Sequence, residues 1–72
     1  KINVEYALIQ KTEVNLLIFD ATGRLVKDII GENQTQGSYH KSFDMTDLPQ
    51  GVYFIRLNTG DKTIVKKVVF LK

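Results

Sequence analysis

Apolar and polar residues alternate along most of the chain. Residues 2–8 carry a large apolar side chain at every second position, which places one apolar row on one face of an extended segment. Residues 14–19 repeat this alternation, and Leu17 and Phe19 add apolar side chains to the opposite face. A period of two predicts a β-strand in each segment.

Two short segments carry the residues typical of hairpin turns, "DATG" at residues 20–23 and "NTGD" at residues 58–61. The Asp20 carboxylate can accept hydrogen bonds from backbone N–H groups just ahead, and Gly tolerates a positive φ. A polar segment with Gly at both ends, "GENQTQG", predicts a loop at residues 31–37, and Pro49 predicts a sharp connection at residues 45–51. Further strands are predicted at residues 24–30, 38–43, 52–57 and 62–71.

These elements predict an all-β fold without a helix. Short strands separated by turn signals about every 8–12 residues are typical of sandwiches and barrels. We expect an immunoglobulin-like antiparallel β-sandwich of about six to seven strands, formed by residues 1–72 as a single domain. Leu48 is expected to close one end of the core. The hydroxyl of Tyr53 is expected to bond to upstream backbone, as tyrosines do at such corners.

Composition excludes several classes of function. Ten Lys and Arg residues against eight Asp and Glu give a net charge of +2, well short of a nucleic-acid-binding footprint. No apolar run approaches the about 20 residues of a membrane-spanning helix. Without cysteine there is neither a disulfide nor a thiolate metal site. We therefore predict no nucleic-acid partner and no transmembrane segment.

The side chains that could carry chemistry form no convincing site. Ser38, His40 and Ser42 share one face of a predicted strand, but catalysis also needs a group that orients the imidazole, an oxyanion site and a pocket. A polar row facing solvent is the favoured interpretation. Asp44 and Asp47 could offer oxygen ligands, yet Asp is a common turn residue. No catalytic residue, cofactor or metal is predicted.

Five segments, in their order and spacing, resemble the C-terminal sorting domain of the type IX (Por) secretion system, type A. They are "VNLLIFD" at residues 14–20, "ATGRLV" at 21–26, "GSYHKSFD" at 37–44, "LPQGVYFIRL" at 48–57 and "KKVVFLK" at 66–72. The resemblance covers essentially the whole chain. Two features depart from the family pattern: the usual Asn-Pro start is missing, and Leu17 stands where a polar residue is common.

The resemblance implies a set of sorting-motif residues in three places. A glycine-plus-basic turn, a glycine–aromatic strand start and a lysine-led terminal strand correspond here to Gly23, Arg24, Gly51, Tyr53, Lys66, Lys67, Val68, Val69, Phe70, Leu71 and Lys72. We hypothesise that the terminal strand is the recognition element, adding to a partner's sheet through its main chain. Which of its faces is buried is left open by the alternation. An edge strand would also permit weak self-association.

The resemblance also implies a function. Such domains direct Bacteroidetes cargo proteins through the periplasm and the type IX translocon to the cell surface or the medium. Many are then removed by a sortase-like peptidase, which attaches the cargo to anionic lipopolysaccharide. The chain would be a substrate without activity of its own, and its start at Lys1, without Met or signal peptide, indicates a fragment of a longer exported protein.

Three alternatives remain open from the sequence. An immunoglobulin- or fibronectin-like accessory module that binds glycan or protein would need exposed aromatic side chains. A structural spacer between catalytic domains would be followed by further sequence after Lys72. Independently of the sorting function, Lys66, Lys67 and Lys72 could attract an anionic surface, or simply keep a strand edge from pairing with other chains.

Overall fold

The structure, a computed structural model that describes residues 1–71, contains six strands and, in that part of the chain, no helix. The strands are β1 Ile2–Leu8, β2 Thr12–Asp20, β3 Leu25–Gln34, β4 Gly37–Phe43, β5 Gly51–Asn58 and β6 Thr63–Phe70. All neighbouring strands are antiparallel, in a two-stranded sheet β1-β4 and a four-stranded sheet β3-β2-β5-β6. The two sheets pack together, so the predicted all-β sandwich is confirmed.

The core lies between the two sheets and is centred on β2. Leu16 is opposite Ile30 of β3 and Leu57 of β5, which puts these three side chains in one row across the sheet. Alternation along β2 turns every second residue to this face, and the fully buried side chains are Val14, Leu16 and Ile18. Tyr6 and other half-buried residues of β1 and β4 pack against them from the smaller sheet.

Strand β3 is longer than predicted, and the expected loop at residues 31–37 is wrong in its first half. The strand continues to Gln34, which lies opposite Thr12 of β2, so only two residues separate β3 from β4. Gly31, Glu32 and Asn33 are exposed. These residues belong to the sheet because their backbone pairs with β2, not because their side chains are buried. The sequence therefore shows no apolar alternation there that would have predicted a strand.

The β2–β3 turn has the geometry expected from "DATG". Gly23 N donates to Asp20 O at 3.0 Å, and Asp20 N donates to Arg24 O at 2.9 Å. The Asp20 carboxylate accepts from the backbone N–H groups of Thr22 at 2.9 Å and Arg24 at 3.0 Å. Gly23 has a φ of 90°, a conformation that residues with a side chain rarely adopt. The predicted role of the aspartate in this turn is confirmed.

The connection between β4 and β5 closes one end of the core. Leu48 N donates to Met45 O at 3.0 Å, and Leu48 packs against the core as predicted. Met45 is itself buried, a contribution that its position in a polar segment did not indicate. The Tyr53 hydroxyl donates to Pro49 O at 2.5 Å, which confirms the predicted tyrosine bond to upstream backbone.

Candidate sorting-signal surface

The Gly23–Arg24 turn presents a basic side chain to solvent. The Arg24 guanidinium lies 3.6 Å from the Asp20 carboxylate, and its side chain is 79% exposed. An exposed ion pair of this kind contributes little stability. Arg24 is therefore accessible to a partner, whereas Asp20 and Gly23 shape the turn.

Hydrogen bonds within this turn also shift the pKa of Asp20. The Thr22 hydroxyl donates to Asp20 Oδ1 at 2.6 Å. This bond, followed by the bond from the Arg24 backbone N–H, holds the pKa of Asp20 below its ordinary value of 3.8, because both stabilise the ionised carboxylate. The turn is consequently sensitive to acid.

Acidification is expected to weaken the β2–β3 turn. Because the folded-state pKa of Asp20 is lowered, its stabilising contribution is present above the unfolded pKa of about 4 and is lost as the pH falls through the folded pKa. Thr22→Ala should raise the pKa of Asp20 toward its ordinary value, measured from the side-chain carboxyl chemical shift in an NMR titration. An unchanged midpoint in Thr22→Ala would show that the hydroxyl bond does not set this pKa.

Gly51 and Tyr53 both lie near the start of β5, but only Tyr53 is buried. Gly51 begins β5 with a φ of 156°, a conformation that L side chains rarely adopt. Tyr53 is only 5% exposed, with its ring in the core and its hydroxyl bonded to Pro49. A partner has little access to Tyr53, whereas Gly51 is half-buried and an added Cβ there would meet no atom within 4 Å.

Strand β6 lies at the edge of the four-stranded sheet and pairs only with β5. Val68 is opposite the buried Tyr53 and Phe70 is opposite Gly51, and both side chains pack against the core. On the other face Val69 is 57% exposed and Lys67 is exposed. Of the two possible faces, the one that carries Val68 and Phe70 is thus turned inward.

Lys66 shares the inward face but is exposed, because no strand of the smaller sheet covers it. Leu71, just after the strand, is 74% exposed. Lys72, the last of the predicted motif residues, lies outside the described residues. The terminal strand therefore combines two half-buried residues that anchor it, Val68 and Phe70, with basic and apolar residues that remain accessible.

Residues 1–71 match the family described as the secretion system C-terminal sorting domain. The chain belongs to this family. No curated protein and no solved structure matches it. The resemblance to type IX sorting domains is thereby confirmed, and a sorting signal of this type is not a catalytic family. A type IX sorting tail implies a protein exported across the outer membrane, ending at the surface or outside the cell.

Two members of the polar row of β4 in this sorting domain, His40 and Ser42, lie within hydrogen-bond distance of a side chain of β1. His40 Nε2 lies 3.2 Å from Asn3 Oδ1 of β1, and Ser42 donates to the same oxygen at 2.6 Å. Asn3 and Ser42 are direct cross-strand partners, so these bonds link the two strands of the smaller sheet. No further group orients the His40 ring in the part of the chain that the structure describes.

A lysine of β3 bonds to both aspartates near Pro49, to the carboxylate of Asp47 and to the backbone carbonyl of Asp44. Lys27 Nζ donates to Asp47 Oδ1 at 2.9 Å and to Asp44 O at 3.3 Å. The bond from Lys27 holds the pKa of Asp47 below its ordinary value. Within residues 1–71 no cluster of three or more histidine or acidic side chains could hold a metal ion. No helix of this part of the chain could cross a membrane.

Sequence reasoning missed an opening at the side of the sandwich, between the edges of β1 and β6. This cavity of about 320 Å³ reaches the buried side chains of Leu16, Ile55 and Leu57. It exists because the two-stranded sheet is too narrow to cover β6. No sequence signal could have revealed it, since it depends on which strands lie beside each other in the two sheets.

Proposed function

We propose that this domain directs a longer protein through the type IX translocon, and that the machinery reads the terminal segment at residues 66–72. The observation that carries the proposal is the position of β6 as an edge strand whose Lys66, Lys67 and Val69 are exposed. Gly51 and Tyr53 would contribute indirectly by building the strand with which β6 pairs. Arg24 is a second accessible motif residue, in a separate turn.

Removal of the domain after export is part of the same proposal. A sortase-like peptidase would cut N-terminal to the domain and attach the cargo to an anionic lipopolysaccharide anchor at the cell surface. Because β1 begins at Ile2 and pairs along its length with β4, a cut before this strand would release the domain as an intact fold. The domain would then be a substrate of the peptidase and of the translocon.

The alternative of a glycan-binding accessory module has less support. Such modules need aromatic side chains presented on a face or loop, and every aromatic residue among residues 1–71 is buried or half-buried. Tyr6 and Tyr39, the stacked pair between β1 and β4, are half-buried with ring centroids 5.3 Å apart. Binding of the isolated domain to a glycan array would favour this alternative over the sorting function.

The test is to fuse residues 1–72 to the C-terminus of a periplasmic reporter in a bacterium with a type IX system. We expect the reporter at the cell surface or in the medium, and retention in the periplasm of an otherwise identical strain that lacks the translocon. Retention in both strains would contradict the proposed function.

A variant with both Lys66→Glu and Lys67→Glu should keep its fold, because both side chains are exposed, and lose export. Deleting the strand end is a poorer test. It also removes Val68 and Phe70 from the core, so a loss of export would not separate recognition from folding.

A further inference from the structure

The backbone groups at the free edge of β6 belong to one alternate set of residues. Thr59 N donates to Lys62 O at 2.9 Å across the β5–β6 turn. Since hydrogen-bonded and non-bonded pairs alternate in an antiparallel ladder, this bond sets the phase of the whole strand pair. The residues that direct their N–H and C=O groups away from β5 are Thr63, Val65, Lys67 and Val69.

The side opening described above lies directly beside this edge. Its floor is apolar, and its rim on β6 is formed by Ile64, Lys66 and Val68. Ile64 is 53% exposed although it is opposite the buried Leu57. An unpaired edge next to an apolar opening offers main-chain hydrogen bonds and a place for side chains at the same time.

Lys66 gives the opening a charge preference. On β6 it lies between the apolar Ile64 and Val68 of the rim, and the described residues contain no acidic group within ion-pair distance of it. Glu5 of β1 also lines the opening but makes no ion pair with Lys66. A partner that brings a carboxylate to this position would supply the missing counter-charge.

We propose that the export partner adds an extended strand to the free edge of β6. Alternate side chains of this strand enter the opening, and they are apolar except for one carboxylate that pairs with Lys66. The inference rests on the proposed function, since it names what reads β6. A second copy of the chain is a poorer occupant. Antiparallel pairing of two β6 strands about their centres would bring the lysines at positions 66 and 67 of both copies together, and like charges repel.

Proline at position 65 tests the main-chain part of this proposal in the reporter fusion. The Val65 N–H points to the free edge, so proline there removes a bond to the partner while the β5–β6 ladder keeps its bonds. Export of Val65→Pro should fall roughly tenfold, because one main-chain hydrogen bond to the partner is lost and the ring also obstructs close pairing. Val65→Thr, which keeps both the N–H and the branched shape, should be exported normally.

Charge reversal tests the side-chain part, and it does not depend on proline being tolerated. Lys66→Glu should reduce export more than Lys67→Glu, because only Lys66 lies on the rim of the opening. Thermal unfolding of each isolated variant checks that it is folded. The proposal is overturned if a folded Val65→Pro variant and Lys66→Glu are both exported at the wild-type level. It is also overturned if β6 mediates a dimer in solution that Val65→Pro abolishes.

Failure of this proposal and failure of the proposed function give different results. If the wild-type fusion is exported and the β6 variants are exported equally well, the domain is a sorting signal that is read elsewhere. If the wild-type fusion itself remains in the periplasm, the sorting function is wrong for this chain. The wild-type fusion and its translocon-deficient control therefore belong in the same experiment as the variants.

Discussion

Replacing Leu16 with alanine is expected to lower the free energy of unfolding by about 2–5 kcal/mol, the range for a fully buried leucine. Leu16 is completely buried and lies in the row formed with Ile30 and Leu57. Small domains have a total stability of about 5–15 kcal/mol, so the loss is a large share of the whole. Urea unfolding of the isolated domain, followed by circular dichroism, measures it.

Leu17→Ala is the matched control, because the next residue on the same strand points to the opposite face. Leu17 is half-buried and lies opposite Arg56 of β5 on the open face of the sheet. Its truncation should cost about 1 kcal/mol or less, since less apolar surface is exposed and no cavity forms. If the two variants lose the same free energy of unfolding, Leu16 does not face the core while Leu17 faces away from it, and the assignment of the two faces of β2 is wrong.

Replacing Tyr53 with alanine should destabilise the domain by about 3–5 kcal/mol, as for other buried aromatic residues. The variant loses both the packed ring and the hydroxyl bond to Pro49. Tyr53→Phe keeps the ring and should cost only about 1 kcal/mol, the net value of one hydrogen bond. The same unfolding measurement separates the two contributions.

The reporter fusion then shows whether Tyr53 acts only through folding. Tyr53→Phe should be exported like the wild type, because the hydroxyl already bonds within the chain and the side chain is only 5% exposed. Phe54→Ala provides a comparison, since Phe54 is the adjacent aromatic residue and lies half-buried on the open face. A folded Tyr53→Phe variant that is not exported would indicate that a partner contacts the hydroxyl directly.

Most strands and turns could be predicted from the sequence because each depends on local chemistry. The turns at Asp20 and at Asn58 rest on carboxylate or amide bonds to backbone N–H groups two to four residues ahead. The alternation of apolar residues along β2 directly predicts which of its side chains are buried. By contrast, the end of β3 at residues 31–34 was missed because its residues are held by backbone pairing with β2 and carry no apolar alternation.

The candidate surface was predictable only as a set of residues. The order of the motifs indicated Gly23, Arg24, Gly51, Tyr53 and the terminal strand, but spacing along the chain does not distinguish residues that build the fold from residues that a partner can touch. Burial makes this distinction: Tyr53 is inside, whereas Arg24 is exposed. The same holds for β6, whose alternation allowed either face to be the buried one.

The sequence by itself determined the all-β class, the hairpin turns and the family, because these follow from residue periodicity, turn chemistry and the order of motifs along the chain. Only the tertiary structure decided that β6 is an edge strand, that Val68 and Phe70 face inward, and that Lys66 borders an apolar opening. These features arise from a two-stranded sheet packing on a four-stranded one. The narrower sheet cannot cover the last strand, and no local pattern encodes which strand is left uncovered.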